Sequence, residues 1–144
     1  MTEPPERFPA PFPAAAAAPS IEDFDRMAEA AFAALPDWVR AAAGRIAVRV
    51  EDFAPDDVLA ELGIEDPFEL TGLYDGVPLI DRRADDLPGP PDAIRLFRRA
   101  ILEEWIDRGD VALEALVAHV LVHELAHHFG WSDDDIAAID PWWE

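Results

Sequence analysis

His123-Glu124-Leu125-Ala126-His127 closes an apolar stretch that begins at Val111, and its reading decides the fold. Leu113, Leu116, Val117, Val120, Leu121, Val122 and Leu125 cover most of the circumference of a helix over residues 111–129. A helix that is apolar nearly all round belongs in the middle of a domain. Histidines four residues apart lie one turn apart on the same face, where their imidazoles can share one tetrahedral Zn²⁺. Glu124, beside the first of them, is placed to act on a water that a metal activates. It lies mid-helix, so it cannot cap the helix; its alternative role is to hold a basic partner. Burying these groups costs desolvation unless they are paired or ligated, and a metal meets that requirement.

The flanks of this helix carry the remaining candidates. Asp110 is placed to cap its start and Gly130 to stop its end, as glycine commonly does just past a helix. The same stop lets the chain turn back toward a metal. Ser132-Asp133-Asp134-Asp135 reads as an N-cap with acids in the following first turn, where the helix dipole favours them. Asp133 can also return to the ion as its third ligand, with Asp134, Asp135, Asp140 and His128 as alternatives. His119 lies one turn before His123, but three successive turns put its ring too far along the axis for one ion; a supporting or core role is expected. His128 projects about 100° away from His127, as a packed or hydrogen-bonded side chain. Tyr74, the only tyrosine, reads as an amphipathic side chain on a strand, the other reading being a hydroxyl near a reacting carbonyl. Trp131, Trp142 and Trp143 are expected to close the apolar side of the terminal helix, or to bind a partner.

Upstream, residues 1–19 are rich in proline and alanine and read as an extended or disordered arm, because repeated prolines remove donors and block a packed element. The domain is expected over residues 20–144. Ser20 is placed as an N-cap for a helix with Phe24, Met27, Ala28, Ala31, Phe32 and Leu35 at helical spacing, and Asp37 as the cap of a second helix ending near Gly44. Residues 45–51 alternate with period two, as a strand does. Residues 55–62 read as a short helix ended by Gly63. Residues 72–80 carry a hairpin signal with Asp75-Gly76 as the turn, and Pro78 puts the second strand at an edge or at its start. Residues 82–92 read as a loop, residues 93–98 as a strand, and the segment through Trp105 to Arg108 as a helix stopped by Gly109.

The totals set limits. The chain has 144 residues and a formal net charge of −20, so it repels nucleic acid and anionic membrane and favours neutral or basic partners. It has no cysteine, which excludes disulfides and thiolate metal sites and leaves His, Asp and Glu as ligands. The N-terminus lacks a basic segment followed by an apolar run, and the apolar stretch before His123 is too short to span a bilayer. A cytoplasmic protein is expected.

The run His123-Glu124-Leu125-Ala126-His127-His128-Phe129-Gly130-Trp131-Ser132-Asp133 resembles the signature of zincin metallopeptidases, most closely the minimal, matrixin-like zincins of bacteria. Val48-Arg49-Val50-Glu51-Asp52, Gly72-Leu73-Tyr74-Asp75-Gly76-Val77-Pro78-Leu79 and Pro91-Asp92-Ala93-Ile94 look like that family's other recurring segments. The resemblance covers about residues 20–140. It implies a compact α+β fold, with a small mixed sheet beside a buried C-terminal metal helix. It further implies zinc on His123, His127 and Asp133, with Glu124 as catalytic base and a peptide or protein as substrate. The chain departs from the larger matrixin-like enzymes in having aspartate for their third histidine and no methionine after the motif. The competing expectation is a zinc-stabilised protein-binding module without turnover, recruiting its partner through the acidic surface and the tryptophans.

Overall fold

The computed structural model describes residues 18–76, 92–131 and 134–135. Helix α1 (Ile21–Ala33) starts where Ser20 and Asp23 cap each other: the Ser20 hydroxyl accepts from the Asp23 N–H at 3.1 Å, and the Asp23 carboxylate from the Ser20 N–H at 2.8 Å. This reciprocal cap satisfies two donors that the first turn leaves unpaired. Pro19, at the end of the expected arm, is already tied to the domain, since its carbonyl accepts from Arg98 at 2.6 Å. Helix α2 (Asp37–Ala43) is capped by Pro36 rather than Asp37. Asp37 sits inside the first turn instead, where it complements the helix dipole and pairs with Arg40.

Strand β1 (Ala47–Glu51) is shorter than the alternating segment because its ladder begins at Ala47, which pairs with Ala93. Helix α3 (Asp56–Leu62) ends at Gly63 in the left-handed region. A 3-10 turn at Pro67–Glu69, a segment without a periodic signal, is fixed by the Asp66 carboxylate accepting from the Phe68 N–H at 3.0 Å. Strand β2 (Gly72–Asp75) runs antiparallel to β3 (Ala93–Phe97), and β1 runs parallel to β3 on its other side. The second strand of the expected hairpin, and most of the expected loop after it, lie outside the described residues. Helix α4 (Arg98–Arg108) ends at Gly109, and α5 (Leu113–Phe129) ends at Gly130. Asp110 does not cap α5, whose N-cap is Ala112 without a side-chain bond. The Trp105 indole donates to the Val111 carbonyl at 2.7 Å, which holds this segment as a connection before the helix begins.

Strand β3 is the middle of the mixed sheet, and its side chains feed two cores. Ile94 and Leu96 point to the face covered by α1, α2 and α5, joined there by Val48, Val50 and Tyr74. Phe97 points to the other face, where Ala54, Leu59, Ala100 and Leu73 gather under α3 and α4. The period of two along each strand divides the two sets. Helix α5 lies across the first face, with Leu116, Val117, Leu121 and Leu125 essentially inaccessible. The domain is therefore an α+β fold built on a small mixed sheet, with the helix of the histidine pair at its centre. Among the described residues, no helix is long and apolar enough to cross a membrane.

Candidate metal centre

The last turns of α5 carry the motif to one side of the core. His123 is half-buried and His127 exposed, while Leu125 and Ala126 between them face inward. The two imidazoles thus sit one turn apart at the margin of the buried helix, and neither ring has a hydrogen-bond partner among the described residues. The His119 ring packs edge-on against that of His123, with centroids 4.3 Å apart. This contact restricts rotation of the His123 ring from the side away from His127. Two nitrogen donors at the solvent margin suit zinc, which takes imidazole and carboxylate ligands in a tetrahedral set.

Glu124 points from the same helix toward β2. The ladder between β2 and β3 explains what it meets there. The Phe97 N–H donates to the Thr71 carbonyl at 2.9 Å, so the alternation of an antiparallel pair directs the backbone groups of Leu73 and Asp75 toward β3. Those of Gly72 and Tyr74 face the other edge of the strand. The Glu124 side chain lies against this strand at Gly72. Burial pushes the Glu124 pKa above its ordinary value, against the pull of neighbouring His127 and of the Tyr74 N–H. A partly buried carboxyl with a raised pKa, one residue from a candidate metal ligand, has the properties of a proton acceptor.

Gly72 allows this close approach. A Cβ built on it would lie 2.7 Å from a methyl carbon of Val120 and 3.2 Å from Cγ of Glu124. Gly72→Ala is therefore expected to push β2 away from α5 and to lower stability by about 1–3 kcal/mol, the usual cost of overpacking. Denaturant unfolding of the metal-free protein checks this, and an unchanged midpoint would contradict the packing described.

Beyond Glu124, the helix is tied to β2 and α2 by a buried polar cluster. The Tyr74 hydroxyl donates to the Asp92 carboxylate at 2.7 Å and lies 2.9 Å from Nδ1 of His128. That nitrogen is 3.1 Å from the same Asp92 oxygen. Nε2 of His128 meets the Ala43 carbonyl at 3.2 Å, and since a carbonyl only accepts, Nε2 is the donor. Both ring nitrogens of His128 are thus engaged, which removes it from the candidate ligands. The Tyr74 hydroxyl is likewise taken up by this cluster. Asp92 was not singled out as a chemical residue in the sequence, although it falls in one of the segments that carried the family resemblance. Its partners come from β2 and from α5, too far apart in the chain for spacing to connect them.

Asp133 lies outside the described residues, as do Ser132, Asp140, Trp142 and Trp143. Asp134 and Asp135 are exposed. Among the described residues, no group of three His, Cys, Asp or Glu side chains is arranged to hold a metal; the described part of the site is the histidine pair. Gly130, with φ 72°, ends α5 and turns the chain. Its N–H donates to the His127 carbonyl at 3.2 Å and the Trp131 N–H to the Ala126 carbonyl at 2.9 Å, the paired bonds of a Schellman stop. Trp131 then stacks on Phe129 with ring centroids 4.4 Å apart and meets Trp38 at 5.9 Å. These contacts fix Trp131 one turn beyond His127. A separate hollow of about 700 Å³ among α1, α2 and β1 is lined by Phe32, Ile46 and Val48, and α5 contributes nothing to its lining.

A central helix bearing two histidines and a glutamate in this order, laid across a small mixed sheet, defines a zincin-type protein. The model of the zincin-like metallopeptidase family matches residues 43–143, more than half of the chain, and the protein belongs to that family. The matched span runs from the end of α2 through the whole histidine motif and Asp133. No curated protein matches the chain. Members of this family normally use zinc, and the described donors fit that ion.

Proposed function

We propose that the protein is a zinc-dependent peptidase, with His123, His127 and Asp133 holding the ion and Glu124 acting as general base. The observation that carries this reading is the placement of Glu124. Its side chain is partly buried beside His127 and against Gly72 of β2, and burial raises its pKa. Asp133 is assigned because the chain leaves Gly130 next to the histidine pair and because a carboxylate completes a mixed nitrogen–oxygen set. Bound there, zinc supplies Lewis acidity, making water more acidic and polarising a peptide carbonyl. Glu124 takes the proton of the attacking water and delivers it to the leaving amine. Its raised pKa suits both transfers, since the group must first accept the proton and then release it.

The outer edge of β2 is the element that aligns substrate. Among the described residues β2 pairs only with β3, and an extended peptide adding as a strand along its other side is the mode of substrate alignment we infer. The net charge of −20 favours peptides with basic flanks, a preference that salt weakens.

The metal half of this reading is tested by elemental analysis after zinc reconstitution. One zinc per chain is expected. It should be lost on acidification, because ligating imidazoles must be neutral. Absence of any bound transition metal after reconstitution would remove the site.

A further inference from the structure

The catalytic reading leaves one hollow unused. It measures about 700 Å³, lies among α1, α2 and β1, and takes no residue from α5. Clefts of this size hold small ligands or a few side chains. Phe32, Ile46 and Val48 form its apolar floor and are only half-buried, so part of their surface stays uncovered. The polar groups around that floor are unevenly paired. Asp25 and Glu29, one turn apart on α1 and both exposed, pair with no cation among the described residues. Arg40, the cation of the lining, is already held by Asp37. The rim therefore carries a surplus of negative charge. Nε of Arg40 is buried with no hydrogen-bond partner among the described residues. A buried donor in that state is a cost that an incoming acceptor removes.

The outer edge of β1 brings backbone groups to the same place. The Ala47 N–H donates to the Asp92 carbonyl at 2.9 Å. Backbone groups alternate between the two sides of a strand, so those of Ala47, Arg49 and Glu51 point toward β3. Those of Ile46, Val48 and Val50 point the other way. Among the described residues β1 pairs only with β3. Ile46 and Val48 thus line the hollow with their side chains and face the outer edge with their backbones.

We propose that the hollow and the outer edge of β1 form a docking site for an extended, basic segment of the protein substrate, apart from the histidine motif. The segment adds along β1 as a strand, with the Val48 N–H donating to one of its carbonyls. Its side chains two residues apart fall on the α1 face. An apolar one covers Phe32 and Val48, and a lysine or arginine meets Asp25 and Glu29. Arg40 Nε offers the segment a further donor. The occupant is basic because two carboxylates of the rim are uncompensated, whereas the guanidinium is neutralised by Asp37. The site rests on the peptidase reading only in taking its occupant to be a substrate.

The test is peptide binding to the full-length, metal-free protein, which requires no turnover. The probe is an acetylated and amidated hexapeptide, Ser-Lys-Ser-Val-Ser-Thr, and the control carries glutamate in place of lysine. NMR of the backbone amides is expected to show saturable shifts at Ile46, Val48 and Val50 with the lysine peptide. At saturation, exchange of the Val48 N–H should slow by roughly two- to tenfold, the size of gaining about one hydrogen bond. That of Ala47, already bonded to Asp92, should change less. Asp25→Asn combined with Glu29→Gln should weaken binding roughly two- to tenfold, as loss of exposed ion pairs does, and high salt should act in the same direction. Ala33 is exposed and lines the hollow, so Ala33→Trp should block binding without unfolding the domain. No saturable shift, equal binding of the two peptides, or shifts confined to α5 and β2 would overturn the proposal. A Val48 N–H already protected in the free protein would overturn it in favour of another segment of this chain. Shifts that follow protein concentration alone would overturn it in favour of a second copy. If the lysine peptide binds here and the zinc-loaded protein hydrolyses nothing, the peptidase reading fails while the peptide-docking site stands. If hydrolysis occurs and the probe does not bind, the docking site fails alone.

Discussion

Glu124→Gln is expected to lower peptide hydrolysis by about 10²–10⁴-fold, the range for loss of a general base, while one zinc per chain is retained. Glutamine keeps the size of the side chain and an acceptor oxygen, but it cannot take a proton from water. A non-catalytic binding module would be indifferent to the same change, so the kinetic ratio separates the two classes of function. The variant has a second signature that requires no substrate. Burial raises the Glu124 pKa in the folded state, so ionising it costs stability. That cost is absent below the pKa of the unfolded chain and fully present above the folded one. Metal-free Glu124→Gln should therefore melt above metal-free wild type at neutral pH, and the difference should vanish as pH falls through the carboxylate range. Thermal melts at several pH values check the sign. A variant less stable at neutral pH would mean that the Glu124 charge is held by more than the Tyr74 N–H and His127.

The second large effect concerns the metal. His127→Ala is expected to reduce zinc affinity by more than the about 10–100-fold that follows from disturbing a ligand's supporting partner, because it removes a donor outright. Asp133→Ala should do the same, whereas Asp134→Ala and Asp135→Ala should leave affinity near that of the wild type. If Asp133 only begins a helix, all three aspartate variants should bind zinc alike and lose at most about 1 kcal/mol of stability. Competition titration with a chelator of known affinity ranks the four variants. Equal affinities across the three aspartate variants would take Asp133 out of the site.

The legible part of this molecule was the part governed by short-range rules. Helix α5 followed from its apolar circumference, and the cap at Ser20 and the stops at Gly63, Gly109 and Gly130 followed from side-chain and backbone chemistry confined to a few residues. Strand β1 followed from alternation, although it lost Arg45 and Ile46 because a strand begins where its partner begins. Asp37 and Asp110 were both credited as caps. An aspartate near a helix start satisfies that pattern whether it lies before the first turn, inside it or in a separate connection. Only tertiary contacts decide, here the Asp37–Arg40 pair and the Trp105 bond to Val111.

The histidine pair and Glu124 were legible because helical periodicity alone puts them together. The environment of Glu124 was not. It depends on which edge of β2 faces α5, a matter of sheet register, and on the absence of a side chain at Gly72. The Tyr74, Asp92 and His128 cluster was beyond spacing arguments for the same reason: three elements meet there, and nothing local marks the meeting. Tyr74 was expected as an amphipathic side chain on a strand, and His128 as packed or hydrogen-bonded, but neither as the other's partner.

The acidic surface and the aromatic contact of Trp38, which is 60% exposed, with Trp131 are features that a binding module would use as readily as a peptidase. Only turnover separates them. The most direct measurement is mass-spectrometric analysis of a broad peptide library incubated with the full-length protein, zinc-loaded in one sample and chelator-stripped in the other. The account predicts new peptide termini in the zinc-loaded sample alone, enriched next to basic residues at low salt. An intact library in the presence of stoichiometric zinc would contradict it.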